Sequence, residues 1–196
     1  MYALDIKRQV EEVLADRVET DLREFAQYQR YLRLQYHVIR ASEPLLKTAC
    51  EIADGKLLHY YREHLEEERM HAEWCYRDLV LLQKSEQGIF PCPPIAAQFA
   101  GTQYYHLCHT SVTTLLGYML LLEGFPMPLT AVEELEVLYG EKACSTLRHH
   151  AMHDPQHFAD LCAAIDDLAP HYREMVRRVA VEGAEQMLKL FEYVRG

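Results

Sequence analysis

Residues 149–157 read HHAMHDPQH, and within them His150, Asp154 and His157 stand at offsets of four and seven. At about 100° per residue, a helix carries all three within about 60° of one another. Two imidazoles and a carboxylate on one stripe can reach one or two metal ions. Mixed nitrogen and oxygen donors suit iron or manganese, whereas a structural zinc site more often draws on cysteine. A second group lies in His64-Leu-Glu-Glu-Glu-Arg-Met-His71. Glu68 precedes His71 by three, Glu67 precedes it by four and His64 by seven, so all of them can share a face. Glu68 with His71 reads as E-x-x-H, a ligand pair of diiron helical bundles. The third signal is Glu123, which closes the apolar run LLGYMLLLE. A carboxylate there is costly unless it sits at a helix end, is paired, or binds a metal.

Each signal alone has an ordinary reading. A charged run on a helix is usually a solvated face, the expectation for Glu66, Glu67 and Glu73. A lone histidine is more often a hydrogen-bonded structural residue than a ligand. The weight lies in the coincidence, since three separate helices offer three histidines and three carboxylates.

Helical periodicity dominates the elements that must position these residues. Residues 4–16 read as a short first helix, and Leu22, Phe25, Tyr28, Tyr31 and Leu32 start a longer one towards Ile39. Ser42 and Pro44 resemble a new helix start, with Ser42 as N-cap. Asp54-Gly55 is a break, and a charged helix follows over about 56–84. Residues 85–94, SEQGIFPCPP, form the clearest loop. A nearly all-apolar helix over 95–123 belongs at the centre of a bundle. Further helices are expected over 130–139 up to Gly140, over 142–168 with an interruption at Pro155, and over 170–194. Repeats and strand-like alternation are absent from the sequence. The expected architecture is all-α: one domain, residues 1–196, of seven or so helices.

Three stretches resemble the heme-oxygenase-like diiron oxidases and oxygenases, an iron-containing redox enzyme family. They are HLEEERMHAEWCYRDLVLL, TTLLGYMLLLEGF and LRHHAMHDPQHFADLCAAID, and the resemblance covers about Leu57 to Leu168. It implies a heme-oxygenase-like bundle and the ligands Glu68, His71, Glu123, His150, Asp154 and His157. By the same resemblance His71, Glu123 and His150 hold one iron, Asp154 and His157 the other, and Glu68 bridges. Some members carry a carboxylate seven residues before the histidine. Here His64 stands at that position, so the choice between Glu67 and Glu68 stays open and His64 is a further ligand candidate. The implied cofactors are two Fe(II) per chain, with dioxygen as co-substrate reduced to a peroxo-type oxidant. The implied reactions are N-oxygenation, desaturation or oxidative C–C cleavage of a small metabolite, with an amino acid or amine as the expected substrate. Pro155 falls between two implied ligands and removes a helix hydrogen bond. The segment around it is therefore expected to order when iron binds.

Composition bounds the alternatives. The 196 residues carry a formal net charge of −10, which argues against nucleic acid and against an anionic membrane surface as partners. The six cysteines have scattered spacings and no C-x-x-C, and the start MYALDIKRQVEEV is charged and amphipathic. They are expected to be reduced, mostly buried thiols in a cytoplasmic protein. The tyrosines at 28, 31, 36, 60, 61, 104 and 105 are expected mostly in the core, and Arg69, Arg77 and Arg148 in surface ion pairs. The expected partner is a small-molecule substrate, and the helical pattern is open to a homodimer. Three rivals compete. A heme-degrading enzyme needs an axial histidine near the N-terminus, and the first histidine is His37. His153-Asp154 matches the adjacent pair of HD-type phosphohydrolases, with Asp160, Asp166 or Asp167 as further ligands. A non-catalytic helical interaction protein would carry such residues by chance.

Overall fold

The computed structural model describes residues 1–83 and 90–196. Among them every regular element is helical: α1 (Tyr2–Leu14), α2 (Phe25–Ile52), α3 (Gly55–Glu67), α4 (His71–Gln83), α5 (Pro94–His109), α6 (Leu115–Glu123), α7 (Leu129–Tyr139), α8 (Ser145–Asp166) and α9 (Pro170–Arg195), with two short 3-10 turns. Helices α3 and α4 are two halves of one bent rod, so eight rods stand where the sequence suggests seven or so. Most of the expected loop, residues 85–89, and the last expected helical residue, Lys84, lie outside the described residues.

Helix α6 is the axis of the bundle. All of its residues except Leu122 are buried, and it packs against α8 and α9. The approach to α9 is close. A Cβ on Gly117 would stand 2.6 Å from the backbone oxygen of Val176, so only glycine lets the two backbones meet there. Around α6, residues such as Leu34, Leu45, Leu116, Leu120, Val176 and Ala180 form the main core.

Three boundaries differ from the sequence expectation. Helix α2 runs unbroken through Ser42 and Pro44. The buried stripe Leu34, Val38, Leu45, Leu46 and Ala49 continues past the proline, and its burial outweighs one missing hydrogen bond. Ser42 is therefore not a cap; its hydroxyl bonds back to the carbonyl of Val38. The expected helix over 95–123 breaks between α5 and α6. The run Thr110 to Thr114 is rich in β-branched residues, and Ser111 Oγ accepts from the backbone N–H of Thr113, a local bond that competes with the helix. The expected helix over 56–84 breaks at Glu68–Met70, where Met70 has φ +70°. That left-handed conformation is costly for a side chain with a Cβ, and it turns the chain between two residues of the proposed site. Pro155, by contrast, lies inside an unbroken α8.

The cysteines are free thiols, three buried and one half-buried, with Cys92 and Cys108 exposed. Tyr28 and Tyr61 are fully buried, whereas Tyr105 lies on the surface, 64% exposed. No helix of the described residues is long and apolar enough to cross a membrane.

Candidate metal centre

The three rods α3/α4, α6 and α8 bring the charged residues inward. His71, Glu123, Asp154, His157 and His64 are each less than a tenth exposed, which is rare for groups of this polarity unless they are paired. Their ligand atoms fall into two groups, each within 4.8 Å: His64, Glu123 and His157 in one, Glu68, His71 and His150 in the other. In the first, His64 Nε2 lies 3.1 Å from Glu123 Oε1. In the second, His71 Nδ1 lies 3.1 Å from Glu68 Oε2. Glu68 joins the two, because its other oxygen, Oε1, is 4.0 Å from His64 Nε2. The third member of the α8 stripe, Asp154, sits beside the second group, with Oδ1 3.1 Å from His150 Nδ1.

Helix geometry explains why there are two groups. His150 and His157 are seven residues apart, about 10 Å along α8, so each reaches a different level of the bundle. Glu123, at the end of α6, meets the level of His157. The grouping therefore departs from the one the resemblance implies. Glu123 stands with His157 and His64 instead of with His71 and His150, and Asp154 stands with His150 instead of with His157.

The electrostatics follow the geometry. Burial pushes the Glu68 carboxyl up, but the hydrogen bond to His71 and the charges of His71, His150 and His64 outweigh it and hold the group down at about 2. Glu123 is raised, chiefly by burial, against the opposing pull of His64. Burial lowers His64 and His150, yet Glu123 beside the first and Asp154 beside the second raise both above the ordinary histidine value. His149, just outside the centre, goes the other way: burial and the neighbouring His71, His153 and His150 lower it to about 4.

The donor set fits a pair of divalent cations. His71 Nε2, His150 Nε2, His157 Nδ1 and Glu123 Oε2 are buried polar atoms with no hydrogen-bond partner. An orphaned buried polar atom costs about 1–3 kcal/mol, and with two of the four in each group a cation in each would satisfy them. With two ions of charge +2, three carboxylates leave the site nearly neutral.

Of the other sequence candidates, Glu67 stands at the rim of this centre and the rest lie away from it. Glu67 is about half exposed, though its Oε2 lies 3.7 Å from both His64 and His157. Glu66 pairs with Arg69, and Glu136 with Arg148. His153 is exposed and bonded to the backbone oxygen of His149. Asp160 accepts from Gln156, Asp166 from the Ala3 backbone, and Asp167 from Lys56. The pieces an HD-type hydrolase needs are thus employed elsewhere. Two residues of consequence escaped the sequence reading. Asp78, fully buried, accepts from Ser145 Oγ at 2.6 Å and from the Thr146 backbone N–H at 2.8 Å, fixing the start of α8 against α4. Its signal was a lone acid in the run CYRDLVLL. Tyr118, from α6, lines a cavity of about 710 Å³ that opens beside the centre and is also lined by His64, Glu68, Glu123, His150 and Asp154.

A crystal structure of a domain of unknown function with a heme oxygenase-like fold, from Shewanella denitrificans OS217, superposes on this chain with a TM-score of 0.70. The match covers 98% of this chain and 85% of that one, at 14% sequence identity. The chain has a heme oxygenase-like fold. No protein-family model and no curated protein matches the sequence. The fold thus carries two inward-facing His/carboxylate groups, and likeness of fold at this identity carries no activity with it.

Proposed function

We propose that this protein is a non-heme diiron oxidase or oxygenase that activates dioxygen to oxidise a small organic substrate. The ligands are Glu68, His71, Glu123, His150, Asp154 and His157, with His64 as a seventh. The observation that carries the reading is the convergence of two adjacent groups, one buried and one partly buried, joined through Glu68, with four unpartnered donor atoms among them. A single structural ion would need only one such group. Two Fe(II) ions bound there would supply the electrons for reduction of dioxygen. The chain's own residues do the rest. Glu68, with one oxygen beside His71 and the other facing His64, would offer its carboxylate to both groups. The apolar walls of the adjoining cavity, including Leu34, Val38 and Met119, exclude bulk water and strengthen every electrostatic interaction inside.

The test is an anaerobic titration with ferrous iron, followed by absorbance on rapid mixing with oxygen. Wild type should take up two irons per chain. His150→Ala and His157→Ala should each lose tight binding of one, and Glu68→Gln should weaken both. No specific uptake by the wild-type chain would sink the reading and return weight to a helical interaction protein.

A further inference from the structure

We infer that the cavity beside the centre takes a mainly apolar small molecule carrying one uncharged hydrogen-bonding group, which meets the hydroxyl of Tyr118. For the chemistry done there, this rests on the diiron reading; for the occupant, it rests on the cavity wall. The cavity, about 710 Å³, is in the size range of sites for small organic ligands, about 300–1,000 Å³. Its wall beyond the centre is built from Leu34, Val38 and Leu45 of α2, Met119 and Leu122 of α6, and Phe191 of α9. Among the described residues, the charged side chains on the wall apart from the candidate ligands are Glu11 and Arg17. Both are exposed, and Arg17 already donates to the carbonyl of Leu14. A charged group carried into the interior would therefore meet no counter-charge outside the centre, and burying an unpaired charge is strongly unfavourable. A free amino acid carries two charges close together and leaves most of this wall untouched.

Among the described residues, two neutral hydroxyls on the wall, those of Tyr118 and Thr146, are buried without a close hydrogen-bond partner. Thr146 has the Asp78 carboxylate beside it, whereas Tyr118, 1% exposed, has only neutral neighbours at hydrogen-bonding range. Ser42, on the same wall, makes only a long 3.4 Å bond to Val38. It neighbours the Tyr118 hydroxyl, so the two together form one weakly satisfied polar spot for a ligand to approach. A buried hydroxyl left unpaired discriminates strongly between ligands that can answer it and those that cannot. Tyr118 is thus a specificity-determining residue, and an amide, ketone or alcohol on an apolar body is the matching chemistry.

The test uses octanamide, 1-octanol and free phenylalanine as probes, with binding followed by anaerobic calorimetry on the full chain before and after ferrous loading. Octanamide or 1-octanol should bind at one per chain. Tyr118→Phe, which keeps the ring and removes the hydroxyl, should weaken that binding about five- to tenfold. Val38→Trp, which fills the cavity from α2, should abolish it. Circular dichroism and thermal melting check that each variant is folded, and should Val38→Trp fail to fold, Tyr118→Phe decides alone. Unchanged affinity in Tyr118→Phe, binding of neither apolar probe, or displacement of octanamide by phenylalanine would overturn the inference. An iron titration on the same samples separates the two claims. Probe binding by a chain that takes up no iron upholds the cavity assignment and sinks the diiron reading. Iron uptake without probe binding does the reverse.

Discussion

Each histidine of the centre has a carboxylate or another imidazole at close range, and that sets how protons and metal compete for it. His64 and His150 are raised above the ordinary value of about 6.5 because, once the opposing effect of burial is overcome, Glu123 and Asp154 favour their charged forms. A ligating imidazole must be neutral, so binding releases the protons these residues hold. The sign follows directly. As pH falls, the protonated fraction grows, and it begins to grow at a higher pH than for an unperturbed histidine. Ferrous iron affinity should therefore drop steeply from pH 8 to pH 6, by up to about tenfold per pH unit for each histidine that takes a proton. Competition titrations with a colorimetric chelator at several pH values would measure it, and a flat profile would show that these imidazoles are not ligands.

Among the elements, the register of α8 matters most, because that helix supplies three of the residues. Its N-terminus is held by Asp78 of α4 through Ser145 and the Thr146 backbone N–H. Burial raises the Asp78 carboxyl, and the hydrogen bonds from Ser145 and Thr146 only partly offset this. Asp78→Asn puts an amide nitrogen where one of these donors needs an acceptor. The loss is moderated because burial already disfavours the charge, so we expect a cost of about 1–2 kcal/mol and a melting temperature lower by roughly 3–6 °C. Urea and thermal unfolding of the iron-free protein would measure it, and wild-type stability in the variant would show that α8 is positioned by packing alone.

At the scale of the molecule, metal and fold should be coupled under the proposed function, since the proposed ligands come from three rods that only the folded chain brings together. A ligand that binds only the native state raises its stability by RT ln(1 + [L]/Kd), about 2.7 kcal/mol at a hundred times Kd. Anaerobic ferrous iron should raise the melting temperature by several degrees, and a chelator should reverse it. Hydrogen exchange should slow most over residues 150–160, where Pro155, between Asp154 and His157, leaves the carbonyl of Ala151 without its helix donor. Equal exchange with and without iron would mean that α8 is already fully set in the metal-free chain.

The sequence by itself determined the all-α class and the extent of α7 and α9, and it singled out Glu68, His71, Glu123, His150 and His157, whose side chains the fold brings into two groups, because these depend on short-range periodicity and on residue type. Glu123 was legible as an acid that ends an apolar helix, and His150, Asp154 and His157 as one stripe. The tertiary structure decided what depends on where separate rods meet. It carried α2 straight through Pro44, because burial on both sides of the proline outweighs one lost hydrogen bond. It bent the chain at Met70 between Glu68 and His71, and it put Glu123 at the level of His157 and His64 instead of His71. The spacing of residues along one helix cannot give the relative height of two helices. That height is set by long-range packing, such as the approach of α6 to α9 at Gly117 and the tie from Asp78 to α8, and it is this height that sorts the same ligands into two groups.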